Sequence, residues 1–99
     1  MPITFCTLLW PRHGKESELI AYEDKVLDLV GEHGGSILSR YRTHGKDDQP
    51  LEIQIFEFES QERLDAYLVD ERRVALADER DSAIDRTELI YLTPVHEAR

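Results

Sequence analysis

The stretch ITFCTLLW at residues 3–10 consists of β-branched, aromatic and leucine side chains and stops at Pro11. This composition, closed by a proline, is typical of a β-strand, in which successive side chains point to opposite faces. Both faces of the strand are apolar, with Ile3, Phe5 and Leu9 on one and Cys6, Leu8 and Trp10 on the other. We therefore expect the rest of the molecule to cover this strand on both sides.

Five further elements are predicted beyond this strand. Apolar residues spaced by three and four predict a helix over residues 16–32, which ends where Gly34 and Gly35 accept a left-handed backbone. Ser60 is a suitable N-cap for a second helix over residues 61–78, with a soft boundary near Asp81. Strands are predicted at residues 36–43, 51–58 and 88–93, and the tail HEAR at residues 96–99 is expected to be loose.

The order strand, helix, strand, strand, helix, strand predicts an α+β protein with the ferredoxin-like βαββαβ fold. Its four-stranded antiparallel sheet has the first and third strands at the centre and both helices on one face. The 99 residues are predicted to form one domain, residues 1–99, with a core over about residues 3–95.

The third strand is also apolar on both faces, with Leu51, Ile53 and Ile55 on one and Phe56 and Phe58 on the other. The two helices can cover only one face of the sheet. A second copy of the same sheet is the economical cover for the other face, which predicts a homodimer. The alternative is that a twisted sheet hides part of this face under its own long turns.

Charge and composition exclude several classes of function. Twelve Lys and Arg against 21 Asp and Glu give a net charge of −9, which repels nucleic acid and anionic membranes. The single cysteine, Cys6, allows neither an internal disulfide nor a multi-thiolate zinc site. The histidines lack metal-binding spacing and no nucleotide-binding motif occurs, so neither a metal nor a cofactor is indicated. An N-terminus without a basic and apolar leader predicts a cytoplasmic protein.

Four short segments carry a resemblance to a known superfamily: WP at residues 10–11, GKE at 14–16, EHGG at 32–35 and FEFES at 56–60. With the element order, they make the chain resemble the dimeric alpha-beta barrel superfamily over residues 3–95. Within it, the chain is most similar to small proteins of the antibiotic-biosynthesis monooxygenase type and their uncharacterised relatives. Heme-degrading members imply an axial histidine on the second helix, together with a pocket asparagine and tryptophan. The chain has no Asn and no His between Ser60 and Ile84, which counts against heme degradation.

Two glutamates fall within the apolar stripes of the predicted helices, Glu23 in the first and Glu71 in the second. A carboxyl group drawn into apolar surroundings has a raised pKa and suits proton abstraction, so both are candidate catalytic residues. The alternative is that each helix is half-buried and each glutamate leans out to water or to an arginine.

Three further residues are candidate substrate contacts. Arg40, expected to share a strand face with Leu38 and Arg42, could hold a substrate anion or neutralise a glutamate. As part of an edge strand, it could equally serve to discourage further strand pairing. Tyr67 is the tyrosine expected to line a cavity, and His13 lies in the loop expected at the mouth of the helix-sheet space.

Two functions remain open from the sequence. The first is a small-molecule-binding dimer without turnover, because no specific catalytic motif is present. The second is a cofactor-independent monooxygenase or isomerase acting on a small aromatic or acidic substrate, as the resemblance implies for some relatives. The helix-sheet space discriminates between them and a purely structural role, because a polar-lined cavity of about 300 Å³ or more favours a ligand whereas a solid core excludes one.

Overall fold

A computed structural model describes residues 1–95 of the chain; the tail predicted to be loose lies outside them. The strands are β1 (Ile3–Pro11), β2 (Gly35–Arg42), β3 (Glu52–Phe58) and β4 (Ile84–Leu92). The α-helices are α1 (Glu16–Leu27), α2 (Gln61–Leu68), α3 (Glu71–Val74) and α4 (Ala77–Ala83). Two 3₁₀ turns, Val30–His33 and Lys46–Asp48, flank β2.

The four strands form one antiparallel sheet in the order β2-β3-β1-β4. The central pair is in register across Phe5 and Phe56, and Tyr91 of β4 lies on the other side of Phe5. This arrangement confirms the predicted ferredoxin-like fold with its first and third strands at the centre. Within the described residues, no helix has the length and apolar character needed to cross a membrane.

A β-bulge in β2 alters the predicted division of its side chains. Ile37 lies opposite Phe56 but Ser39 lies opposite Ile55, so Leu38 is an extra residue in the ladder. Beyond the bulge, Arg40 lies opposite Gln54 and Arg42 opposite Glu52, on the face that the helices cover. Strict alternation along β2 predicts that Leu38 shares a face with these arginines. Because of the bulge, Ile37 lies on that face instead.

The core lies between the helices and one face of the sheet. The apolar stripe of α1 is buried as predicted, at Leu19, Val26 and Leu27, and Glu23 is buried among these residues at 6% exposure. Around the phenylalanines of β1 and β3, Phe5 stacks on Phe56 with ring centroids 5.1 Å apart. The buried apolar residues of the core form two clusters: Phe5, Leu27, Val30, Phe56, Phe58, Leu64 and Tyr67, and Leu9, Leu19, Tyr22, Val26, Ala83 and Ile84.

The second helix is broken into three, where the sequence predicts one helix over residues 61–78. Ser60 caps α2 as predicted, since its Oγ accepts a hydrogen bond from the Arg63 amide at 3.2 Å. The break occurs at Asp70, whose backbone is extended and whose Oδ1 accepts from the Arg72 amide at 2.8 Å. Asp70 thus acts as an N-cap inside the predicted helix. Its other carboxyl oxygen contacts His33 Nε2 at 2.8 Å, so the break is linked to the 3₁₀ turn that precedes β2.

The last strand begins at Ile84, four residues before the predicted start. Ala83 and Ile84 are buried against Leu9, and pairing with β1 continues past a register shift at Trp10 and Pro11. The apolar pattern does not indicate this part of the strand, because Asp85 and Arg86 are charged. On an exposed edge, however, charged side chains are readily accommodated.

Candidate functional site

A cavity of about 120 Å³ lies between the sheet and the helices. It is smaller than the roughly 300 Å³ at which ligand pockets usually begin, but comparable with the roughly 150 Å³ apolar cavity that accommodates benzene. The helix-sheet space is therefore not solidly filled, but it is smaller than the cavity of about 300 Å³ that would favour a ligand on size alone. Its walls are mainly apolar and aromatic, and include Phe5, Leu9, Leu27, Phe56, Phe58, Leu64, Leu68 and Leu89.

The local sequence explains where this space opens. Thr7 presents a small side chain to the helix face of β1, between the bulkier Phe5 and Leu9, and lies opposite Gln54. At the edge of the sheet, β4 contributes the exposed Thr87 and Leu89 to the cavity lining. The break after α2 leaves short helices over this edge. The cavity thus reaches the surface beside β4, between the strand and α2–α4.

Glu23 places a carboxyl group on the cavity wall. Its Oε1 accepts a hydrogen bond from Gln54 Nε2 at 2.9 Å. Burial raises the pKa of Glu23, and this effect outweighs the hydrogen bond from Gln54, which favours the charged form. The site therefore contains a carboxyl group that keeps its proton to a higher pH than an exposed glutamate does.

A second buried carboxyl group, Glu52, behaves in the opposite way. It is 0% exposed, and Arg40 Nε and Gln54 Nε2 each donate to its Oε2 at 2.6 Å. Arg42 Nε donates to its Oε1 at 3.0 Å. Burial disfavours the charge on Glu52, but these hydrogen bonds prevail and lower its pKa. Glu52 is therefore held as an anion, and Gln54 Nε2 links it to Glu23, whose pKa is shifted in the opposite direction.

Two arginines, Arg73 and Arg80, border the cavity, and Arg73 is the one in contact with its aromatic wall. Its guanidinium carbon lies 5.0 Å from the centre of the Tyr67 ring, within the range of a cation–π contact. Its Nη1 donates a long hydrogen bond of 3.4 Å to the Leu68 carbonyl. Its Nε is buried and has no hydrogen-bond partner among the described residues. No carboxylate within residues 1–95 forms a salt bridge with Arg73.

Two buried phenols complete the polar part of the lining. Tyr22 and Tyr67 are 1% and 5% exposed, and Tyr67 donates its hydroxyl to the Val26 carbonyl at 3.2 Å. Burial raises the pKa of both tyrosines, so both remain neutral in the physiological range. They supply aromatic walls and no charge.

The structure brings together only part of the site predicted from the sequence. Glu23 and Tyr67 border the cavity as expected. Glu71, expected to point inward, is exposed at the first position of α3, because the break at Asp70 changes the direction of the chain. Arg40 lies outside the cavity lining and binds Glu52 and Asp24 instead, at 2.6 and 2.8 Å.

His13 also lies elsewhere. It is exposed and borders a separate surface groove with Trp10 and His44, not the mouth of the cavity. In the part of the chain that the structure describes, no three His, Cys, Asp or Glu side chains are grouped closely enough to hold a metal ion.

Three residues of the site, Gln54, Glu52 and Arg73, were not predicted from the sequence. A signal for the first two was present, because in the predicted strand LEIQIFEF they share a face with Phe56 and Phe58. Polar residues on the face that carries the core indicate a buried network. No comparable signal marks Arg73, since its place depends on where the second helix breaks.

Comparisons with known proteins establish the fold. No family model matches the chain, and no curated protein matches it. Among solved structures, the Rv0793 protein of Mycobacterium tuberculosis is 19% identical with a TM-score of 0.75, and the match covers 100% of both chains. A protein of unknown function from Rhodopseudomonas palustris is 17% identical with a TM-score of 0.79, over 97% of this chain and 84% of that one.

A third similar structure is a dimeric protein of unknown function with a ferredoxin-like fold from Bacteroides fragilis. It is 10% identical with a TM-score of 0.69, and the match covers 92% of this chain and 94% of that one. Identities this low speak for the fold alone. They confirm the ferredoxin-like fold that the sequence indicated.

Proposed function

We propose that this protein binds a small molecule, about the size of one ring, in the cavity between its sheet and helices. The observation that carries the proposal is the lining itself, in which an apolar and aromatic enclosure contains one carboxyl group, two neutral phenols and one arginine without a carboxylate partner. Sites for small molecules typically combine apolar walls with a few fixed polar groups. A space needed only for packing would be closed by larger side chains.

Filling the mouth of the cavity tests this function. Thr87→Trp places an indole at the β4 edge of the opening, whereas Glu18→Trp places one on the exposed face of α1, away from it. A thermal-shift and NMR screen with quinols, phenols, small lactones and aromatic acids should give ligands that stabilise the wild type and Glu18→Trp but not Thr87→Trp. A ligand at about 100 times its Kd adds about 2.7 kcal/mol to the free energy of unfolding. Equal binding to all three proteins, or none to any, would reject the cavity as a site.

A second candidate function is proton transfer without a cofactor, favoured by the position of Glu23. A buried carboxyl group with a raised pKa, bordering a cavity, is a suitable general acid or base. Acting as an isomerase, its ionised form would take a proton from one carbon of an enolisable substrate and return it to another. A monooxygenase reaction would instead pass the electrons of the substrate anion to dioxygen. The anion would be stabilised by Arg73, because Arg40, which was expected to do so, lies outside the cavity. Glu71 also lies outside it, which leaves Glu23 as the base.

Glu23→Gln separates catalysis from binding. The amide keeps the shape and can still accept from Gln54, but it cannot transfer the proton. An enzyme would lose turnover while keeping its ligand-induced thermal shift. Turnover that survives in Glu23→Gln would remove Glu23 from the mechanism.

We further propose that the protein is a homodimer joined through the sheet face opposite the helices. Cys6, Leu8, Trp10, Ile53 and Ile55 lie on this face and are half-buried, whereas Leu38, Tyr41, Ile90 and Leu92 are exposed. Glu57, Glu88 and Arg86 lie at the margins of the same face. An exposed apolar patch with a charged rim is typical of a protein interface. The dimeric state of the Bacteroides fragilis protein supports the same assembly for this chain.

Sedimentation tests the dimer. The wild type should sediment at twice the mass of the chain. Ile55→Asp should dissociate it, because a buried unpaired charge is unfavourable, whereas Ser82→Asp on the exposed side of α4 should not. A wild-type monomer that is fully folded would contradict the proposal. The cytoplasmic location and the lack of nucleic-acid or membrane partners stay predictions of the sequence.

A further inference from the structure

A groove of about 300 Å³ adjoins the mouth of the cavity and is rich in arginine. It shares Arg73, Arg80, Ile84 and Thr87 with the cavity lining, so the two spaces are continuous. Arg86 and Asp85 complete its walls. The protein has a net charge of −9, yet three arginines line this one opening.

The three arginines differ in what already binds them. Arg80 donates to Asp81 Oδ1 at 3.0 Å, and Arg86 is paired with Glu88. Asp85 forms a salt bridge with Arg12. Arg73, by contrast, has no acidic partner among residues 1–95 and has a buried Nε without an acceptor.

Arg73 can therefore turn toward an incoming anion without breaking an ion pair. The movement would break the long hydrogen bond from Nη1 to the Leu68 carbonyl at 3.4 Å and alter the contact with the Tyr67 ring. It would also give Nε an acceptor that the protein does not provide. A guanidinium binds a carboxylate through two parallel hydrogen bonds, which suits a planar monoanion better than a spherical one.

We infer that the ligand is a ring-sized apolar carboxylate, whose ring enters the cavity and whose carboxylate binds Arg73 at the mouth. The inference rests on the proposed binding function and adds the chemical class of the ligand. The volume of the cavity limits the apolar part to about one ring. The arginine groove fixes the end at which the negative charge remains.

Benzoate and benzamide are the probes, because they have the same ring and differ in charge. Each is titrated into the ¹⁵N-labelled full-length protein at constant ionic strength, and the backbone amide shifts of Thr7 and Leu89 report on the cavity. The wild type should bind benzoate about tenfold more tightly than benzamide. Arg73→Gln should remove this preference, and Arg73→Lys should retain part of it because the charge remains.

Arg63→Gln is the matched control, since Arg63 is an exposed arginine on α2 whose salt bridge with Glu59 is at the surface. It should keep the wild-type preference. Equal affinities of the wild type for the two probes, or a preference that survives in folded Arg73→Gln, would overturn the inference. In that case binding that Thr87→Trp abolishes would leave the proposed function intact. If neither probe nor any compound of the wider screen binds, the proposed function fails first.

Discussion

Gln54 joins Glu23 to Glu52 through one nitrogen atom. Its Nε2 donates to Glu23 Oε1 at 2.9 Å and to Glu52 Oε2 at 2.6 Å. An amide nitrogen has two protons, so it can serve both carboxyl groups at once. The two groups nevertheless have opposite pKa shifts, upward for Glu23 and downward for Glu52. Their different surroundings explain this, because Arg40 and Arg42 donate hydrogen bonds to Glu52 and not to Glu23.

The raised pKa of Glu23 predicts that Glu23→Gln stabilises the protein at neutral and higher pH. A folded-state pKa above the unfolded value means that the unfolded state binds fewer protons, so stability falls as pH rises between the two pKa values. Each pH unit by which they differ corresponds to about 1.4 kcal/mol at high pH. Chemical denaturation should show Glu23→Gln to be more stable than the wild type at pH 8 and nearly equal to it at pH 4. Glu71→Gln, at an exposed position, serves as the control and should follow the wild type at both pH values.

Glu52→Gln should act in the opposite direction. The pKa of Glu52 is lowered in the folded state, so its contribution to stability is present above the unfolded pKa near 4.5 and is lost as pH falls through the folded value. Removing the charge leaves Arg40 and Arg42 without their buried anion. We expect a loss of about 2 kcal/mol at pH 7, below the range for a fully buried pair because both arginines reach solvent. Urea denaturation at pH 7 and pH 3 measures it, and a loss that is equal at both would contradict the ionic explanation.

Gly35 is required by a close approach of side chains at the start of β2. A Cβ at this position would lie 2.7 Å from Phe58 Cε2 and 2.7 Å from Val30 Cγ1, two side chains buried in the core. Gly35→Ala should therefore destabilise the protein by about 1–3 kcal/mol. Gly31→Ala, where a Cβ meets nothing within 4 Å, is the matched control and should be neutral or slightly stabilising. Equal unfolding midpoints for the two variants would show that the core yields at this position.

Cys6 can report the proposed dimer. It is a half-buried free cysteine on the sheet face opposite the helices, with Ile55 and Ile90 as its neighbours across the ladder. A second copy on this face would shield its thiol. Modification by a neutral thiol reagent should be at least about tenfold slower in the wild type than in Ile55→Asp, because local opening must precede reaction. Rapid modification at concentrations where sedimentation shows a dimer would place the interface on another surface.

The sequence predicted the fold because each strand and the first helix carry their pattern locally. The alternation around Phe5 and Phe56, the apolar stripe of α1 and the N-cap at Ser60 all had the structural outcome that was expected. These signals depend on neighbours within a few residues. The direction of Glu23 followed from the same periodicity.

The candidate site was predicted less well, because it depends on interruptions of these patterns. One polar residue, Asp70, bonds its own backbone two residues on and contacts His33, which lies 37 residues earlier. This long-range contact ends α2, turns Glu71 outward and brings Arg73 to the cavity. A helical wheel assumes an unbroken helix, so it could give neither result.

The bulge at Leu38 has a consequence for how charge is divided between the two sides of the molecule. If Leu38 took a regular place in the ladder opposite Ile55, the parity of β2 would be reversed from Ser39 onward, and Ser39 and Tyr41 would lie beneath the helices. Arg40 and Arg42 would then lie on the opposite side, where the proposed dimer would bring like charges of its two copies together. Glu52 would meanwhile be buried without its cations. The bulged position of Leu38 thus keeps the two arginines beside the buried carboxylate of Glu52 and leaves the other side of β2 uncharged.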